Sequence, residues 1–172
     1  FYSKDNAGKN LVLFFFPKAD TTGCTKEAIS VSNLIDEFKN LNTVFFGGGT
    51  PSLMPLEIID SILDISSNIF GFDKNIEITL EANPSSYESK KFIKFQQMGI
   101  NRVSSGVQSL NNNYLKFLGR LHNIKDIKIA LNDALKVFEN ISVDLIYSFY
   151  GQNIHDWTNE LESFLNTYDL QH

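Results

Sequence analysis

TVFFGGGTPSLMPLEIIDSIL, residues 43–63, decides the fold. Thr43 to Phe46 is a short apolar, aromatic run of strand length. Gly47-Gly48-Gly49 then lets the backbone turn sharply and leaves its N–H groups open to a close approach. Pro55 can open a helix, and Ile59, Ile62 and Leu63 recur at helical spacing behind it. Strand, glycine turn and amphipathic helix make one βα unit. A glycine turn between strand and helix has a plain structural reading as well, so the loop alone does not establish a site.

The same unit repeats outward in both directions. Apolar or β-branched runs occur at Asn10–Phe16, Asn75–Leu80, Asn101–Ser105 and Ile141–Tyr147. Each is followed by a helical pattern. Ala28, Val31, Ile35 and Phe38 share one face. Ser85-Ser86-Tyr87-Glu88 reads as a capping box for a helix carrying Phe92, Phe95 and Met98, with Gly99 fitting its C-terminal cap and Ile100 as apolar partner. Asn111-Asn112-Asn113 reads as a helix start. Asn123 opens a helix with Ile127, Ala130, Leu131, Ala134 and Phe138 inward. Asp156 is read as the cap of a last helix bearing Trp157, Leu161, Phe164 and Tyr168. Five βα units at a spacing of roughly thirty residues predict an α/β fold with a parallel five-stranded sheet. Five units do not complete an eight-unit barrel, so the sheet is open or the barrel is partial. Ligands then belong at the C-terminal strand ends.

Composition narrows the classes. The chain has 172 residues, 42% hydrophobic and 20% charged, with a formal net charge of −5. That balance is globular, and the negative charge argues against a nucleic-acid surface. No apolar run reaches membrane-span length. The start, Phe1-Tyr2-Ser3, carries no apolar leader and no Met, so the expectation is a cytoplasmic protein whose chain begins inside a longer gene product or after processing. The only cysteine is Cys24, which excludes an internal disulfide. His122, His155 and His172 are dispersed and are read as surface or helix-end residues, and Trp157 as core.

The residues at the strand ends form an ordered set. Glu81-Ala82-Asn83-Pro84 follows the third run, Gly106-Val107-Gln108 the fourth, and Leu118-Gly119-Arg120 comes after it. Asp144-Leu145-Ile146-Tyr147 lies in the fifth. Taken singly, Glu81 and Asp144 could be helix caps, Gln108 a loop amide and Arg120 a surface charge. Together with the glycine loop they resemble the radical S-adenosylmethionine proteins of the oxygen-independent coproporphyrinogen III oxidase family, including its haem-chaperone branch, over residues 42–172. The resemblance implies a partial radical-SAM-type TIM barrel. It implies S-adenosylmethionine as ligand, held by Gly48, Gly49, Thr50, Glu81, Gln108, Arg120 and Asp144, and a link to haem or porphyrin. The chemistry agrees: backbone N–H groups and Arg120 suit a carboxylate, Glu81 or Asp144 an ammonium or hydroxyls, and Gln108 both donates and accepts.

Two departures accompany the resemblance. The family's [4Fe–4S] cluster is held by C-x3-C-x2-C, and this chain has no such motif. One cysteine cannot hold the cluster, so the expectation is no radical chemistry from the chain as given. Tyr147-Ser148-Phe149-Tyr150-Gly151-Gln152 stands where the family has Y-G-L-P-G-Q, which alters a rim loop. The chain stops at Gln171-His172, about where the family's sixth strand would begin.

The first forty residues read differently. Asn10–Phe16 is followed by Pro17-Lys18-Ala19-Asp20-Thr21-Thr22-Gly23-Cys24. This P-x-x-x-T-x-x-C segment resembles the bacterioferritin-comigratory branch of the peroxiredoxins. The resemblance implies Cys24 as a peroxidatic thiol at a helix start, with Thr21 and Pro17 shaping its pocket. The resolving position five residues on is Ile29. The expected organisation is a peroxiredoxin-like βα segment at 1–41 and a truncated radical-SAM domain at 42–172. The splice near Asn40–Asn42 keeps the βα register. Three readings follow: an S-adenosylmethionine binder without its cluster, a thiol-dependent peroxidase using Cys24, and a non-functional fusion or truncated product.

Overall fold

A computed structural model describes residues 40–168. The expected run at Asn10–Phe16, the helix at Ala28–Phe38, and Pro17, Thr21 and Cys24 lie outside the described residues. Contacts divide the chain between Leu80 and Glu81, and each unit is taken by itself.

In the first unit, β1 (Leu41–Phe46) pairs in parallel with β2 (Phe72–Ala82), in a register running from Thr43↔Glu77 to Phe46↔Leu80. Between them lie a 3-10 turn at Pro51–Leu53 and helix α1 (Leu56–Phe70), with Pro55 at its cap as its fixed φ dictates. Leu41, Val44, Phe46, Ile59, Leu63, Ile78 and Leu80 are buried. Burial alternates along β1: Val44 and Phe46 are buried, Asn42 is exposed and Phe45 is half-buried.

In the second unit, β3 (Arg102–Gln108) pairs in parallel with β4 (Asn140–Leu145), from Arg102↔Asn140 to Ser105↔Val143 and, past an irregularity, Gln108↔Leu145. The helices are α2 (Ser86–Ser89), α3 (Phe92–Gln97), α4 (Asn112–Phe117), α5 (Ile124–Val137) and α6 (Ile154–Leu165). Four strands are thus described, each within two residues of its expected start except β2, which begins three earlier.

Local sequence explains the helix ends. The Ser85 side chain accepts from Glu88 N–H. The single helix expected after it is broken at Lys90–Lys91 into α2 and α3. Asn111 caps α4, and Asn123 with Asp126 forms a complete capping box on α5. The N-cap of the last helix lies three residues before the expected one. Asn153 is the N-cap, and Asp156 is its third-position partner, returning a bond to Asn153 N–H. Asn and Asp are both good caps, so spacing alone could not choose between them.

Alternation gives β3 and β4 two unlike faces. Val107 packs with Leu115, Ile127, Leu131, Phe164 and Tyr168, and Val143 adds to that cluster. Trp157, read as core, is only half-buried, with its ring tilted against Tyr147. The other face is polar. Arg102 Nη2 donates to Ser142 Oγ at 2.9 Å, and Ser142 Oγ donates to Ser104 Oγ at 3.2 Å.

Candidate functional site

In the first unit, β1 delivers Gly47–Thr50 to its C-terminal end. Gly48 and Gly49 have φ of 85° and 62°, which side chains with a Cβ avoid, so this loop needs its glycines.

In the second unit, the end of β3 is a built feature. Gln108 holds φ 69°, and Ser109 N–H donates back to the Val107 carbonyl at 2.9 Å. This is the rare positive-φ γ-turn, a strained state for a residue with a Cβ. Surrounding bonds brace it. The Gln108 carbonyl accepts from Ile146 N–H at 2.8 Å. Ser109, fully buried, donates from Oγ to the Glu160 carboxylate at 2.6 Å and accepts from Asn111 N–H at 3.0 Å. Leu110 N–H donates to the same Glu160 oxygen. The Gln108 side chain then folds back over its own strand. A Cβ on Gly106 would stand 2.9 Å from Gln108 Nε2 and 4.0 Å from Asn83 Oδ1. The missing side chain of Gly106 is therefore what admits the amide beside the Glu81–Pro84 loop.

That loop is held from α2. Asn83 N–H donates to Glu88 Oε2 at 2.8 Å, and Ser85 Oγ to Glu88 Oε1 at 3.2 Å. Glu88 is buried, and instead of closing the expected capping box on Ser85 N–H its carboxylate fixes the residues after Glu81. Asp144 sits on β4 two residues beyond Ser142, on the polar face. It is exposed by area, yet partial burial pushes its carboxyl above the usual range, and the Arg102 guanidinium opposes that rise. Arg120 is partly buried in the loop between α4 and α5.

One residue read as a surface histidine is corrected. His122 is buried, 8% exposed. Burial pushes its pKa below the ordinary 6.5. Nothing in the sequence marks this except its place two residues after Arg120, because burial here is set by tertiary packing. Arg102 and Glu160 were likewise not read as parts of the rim.

The rim loop with the altered motif keeps a demanding backbone. Ser148, where the resembled family has Gly, holds φ 67°. Gln152 Oε1 accepts from Ser148 N–H at 2.7 Å and Phe149 N–H at 3.2 Å, closing the loop. A groove of about 470 Å³ lies elsewhere in the unit, lined by Tyr114, Asp156, Asn159 and Glu160 among others, and none of the expected ligand residues lines it. Among the described residues, no cluster of His, Cys, Asp and Glu could hold a metal ion, and no helix is long and apolar enough to cross a membrane.

Parallel βα units with polar groups at the strand ends define an α/β fold of partial-barrel type. The radical SAM superfamily model matches residues 25–164, and the chain belongs to that superfamily. A model of the AhpC/TSA family matches residues 1–48. Among curated proteins, the heme chaperone HemW of Buchnera aphidicola is 40% identical over 124 residues, covering 72% of this chain and 33% of that protein. HemW of Haemophilus influenzae is 38% identical over 124 residues, 72% of this chain and 32% of its own length. The chain thus spans about a third of the length of the curated relatives it matches. Of solved structures, coproporphyrinogen III oxidase (HemN) from Escherichia coli, described as a radical SAM enzyme, superposes with a TM-score of 0.71 at 22% identity, covering 92% of this chain and 42% of that one. The archaeal Elp3 of Methanocaldococcus infernus gives 0.61 at 19%, covering 88% of this chain and 41% of its own. Both likenesses concern the fold.

Proposed function

We propose that this chain binds S-adenosylmethionine without carrying the cluster that would cleave it. The observation that carries the reading is the Gln108 amide, seated over Gly106 beside the Glu81–Pro84 loop on a strained, braced turn. Strain of this kind is kept where a ligand needs it. In the second unit, Gln108 offers a donor and an acceptor to the adenosyl moiety. Glu81 and Asp144 offer carboxylates to ribose hydroxyls or the ammonium, and Arg120 a cation to the carboxylate. In the first unit, Gly48, Gly49 and Thr50 offer a glycine-lined turn with close backbone approach. S-adenosylmethionine supplies radical chemistry only when an electron reaches its sulfonium. The sequence has a single cysteine where a [4Fe–4S] cluster needs several thiolates, so the donor set does not fit the cluster. No step is derived through it.

The HemW relatives favour haem or porphyrin as a second small molecule, and a cytoplasmic place without nucleic-acid or membrane partners fits the charge and hydropathy. The proposed organisation is a peroxiredoxin-like segment at 1–41 joined to a radical SAM segment at 42–172. Titration calorimetry with S-adenosylmethionine tests the reading. Saturable one-site binding, weakened at least about tenfold by Glu81→Ala, is expected, one lost charged hydrogen bond being worth that much. No saturable heat from a folded sample overturns it.

A second reading is favoured by the AhpC/TSA match. Cys24 as thiolate would attack a hydroperoxide, becoming a sulfenic acid while the alcohol leaves, and an external thiol would return it. Thiol-dependent peroxide turnover lost in Cys24→Ser supports that reading. If neither binding nor turnover is found, the reading as a non-functional fusion is the one left.

A further inference from the structure

We propose that Glu160 of α6 is a positioning residue for Gln108: its carboxylate holds the positive-φ turn at the end of β3 and so aims the Gln108 amide at the ligand seat. This rests on the reading of Gln108 as a ligand residue. It adds a residue of another element that acts through the turn and not by touching the ligand.

The hydrogen bonds carry the assignment. Ser109 Oγ donates to Glu160 Oε1 at 2.6 Å, and Leu110 N–H donates to the same oxygen. Bonds to a carboxylate are the strong kind. Ser109 is fully buried, and its hydroxyl also accepts from Asn111 N–H at 3.0 Å, so it is committed as donor and as acceptor. Its N–H is committed to the Val107 carbonyl at 2.9 Å, across Gln108 at φ 69°. Glu160 is itself set by packing. One turn along α6, Phe164 lies in the same buried cluster as Val107 and Leu115. Helix α6 thus brings its acid to the turn in a fixed register, fifty-one residues after Ser109.

Gln has no preference for positive φ, so the turn persists only while its neighbours over-determine it. The bond from Ile146 N–H at 2.8 Å holds the Gln108 carbonyl but not the residues after it. Those are held by Glu160. With the carboxylate gone, Ser109 Oγ and Leu110 N–H lose their acceptor, and the turn opens to satisfy them elsewhere. Rotation about φ then swings the Gln108 side chain away from its strand. The amide leaves its place over Gly106, where a Cβ would stand 2.9 Å from Nε2. Ligand affinity at Gln108 is therefore set in part by an acid on α6.

The test compares wild type with E160A, which removes the acceptor, and E160Q, which keeps an oxygen acceptor. Without ligand, a strong intraresidue Overhauser effect between the amide proton and Hα of Gln108 marks its positive φ, where the two protons are closest. It should be strong in wild type and E160Q and weak in E160A. S-adenosylmethionine affinity, by calorimetry, should fall about tenfold in E160A and stay within about threefold of wild type in E160Q, as expected for losing or keeping these bonds. In a Q108A background, E160A should change affinity no further, because Glu160 acts only through Gln108. A merely structural role would cost the same factor in both backgrounds. If E160A does not fold, S109A removes one of the two bonds and should show a smaller loss of the same kind. A strong Overhauser effect retained in the acceptor-deficient variant, or equal affinity losses in both backgrounds, would overturn the proposal. If wild type binds no S-adenosylmethionine while the Gln108 signal still follows Glu160, the binding reading falls and the positioning of Gln108 stands.

Discussion

β3 and β4 end in the same difficulty and solve it differently. Gln108 and Ser148 both hold φ near 70° without being glycine. At Gln108 the chain is braced from two sides: Ile146 N–H on its carbonyl, and Glu160 on Ser109 and Leu110. Ser109 and Val107 are fully buried. At Ser148 the brace is one side-chain oxygen of Gln152; of its two neighbours Tyr147 is exposed and Phe149 is buried, stacked on Tyr114. A strained backbone persists where its neighbours over-determine it. The β3 end has that property, and the β4 loop keeps a glycine-type conformation with a residue that does not suit it.

The contrast is broken most severely at Glu160. Glu160→Ala leaves Ser109 Oγ and Leu110 N–H without their acceptor in a buried setting, and should cost about 3 kcal/mol by denaturant unfolding. Gln152→Ala removes a comparable brace from an exposed loop and should cost only about 1 kcal/mol. An equal cost at both sites would erase the distinction. Ser148→Gly relieves a left-handed φ and should gain up to about 1 kcal/mol in the same assay, whereas Gln108→Gly should gain stability only by giving up ligand affinity.

Titration sharpens the contrast further. The folded pKa of His122 is lowered, so its contribution to stability is present above the ordinary 6.5 and is lost as pH falls through the folded value. Wild type should lose melting temperature below pH 6.5 relative to H122N. Asp144 has the opposite sign. Its folded pKa is raised, so its contribution is full below the ordinary 3.8 and lost as pH rises through the folded value. Asp144→Asn should therefore raise the melting temperature slightly at pH 7 and leave it unchanged at pH 3, while weakening S-adenosylmethionine binding.

What the sequence made legible was local. Pro55, Ser85 with Glu88, Asn111 and Asn123 each mark a helix start because a cap acts within four residues of itself. The inward faces of α3 and α5 followed from period, with Phe92, Phe95, Ile127, Ala130, Leu131 and Ala134 buried and Phe138 buried just past α5, while Met98, also expected inward, is only half-buried. The altered motif at Ser148 was visible, and its backbone consequence is a positive φ. The rest was long-range. His122 looks like any loop histidine until tertiary packing buries it. Glu160 looks like a surface acid of α6 until Ser109, fifty-one residues earlier, reaches it. Gln108 carries no local sign of its turn, because Gln has no preference for positive φ and only tertiary bracing holds it there.

The central claim is that the braced end of β3 is a ligand seat. Amide chemical-shift mapping of the second unit with S-adenosylmethionine tests it most directly. The account predicts saturable shifts concentrated on Glu81, Gly106, Gln108 and Asp144 and reduced in Gln108→Ala. Saturable shifts confined to residues away from these, or none in a folded protein, would contradict it.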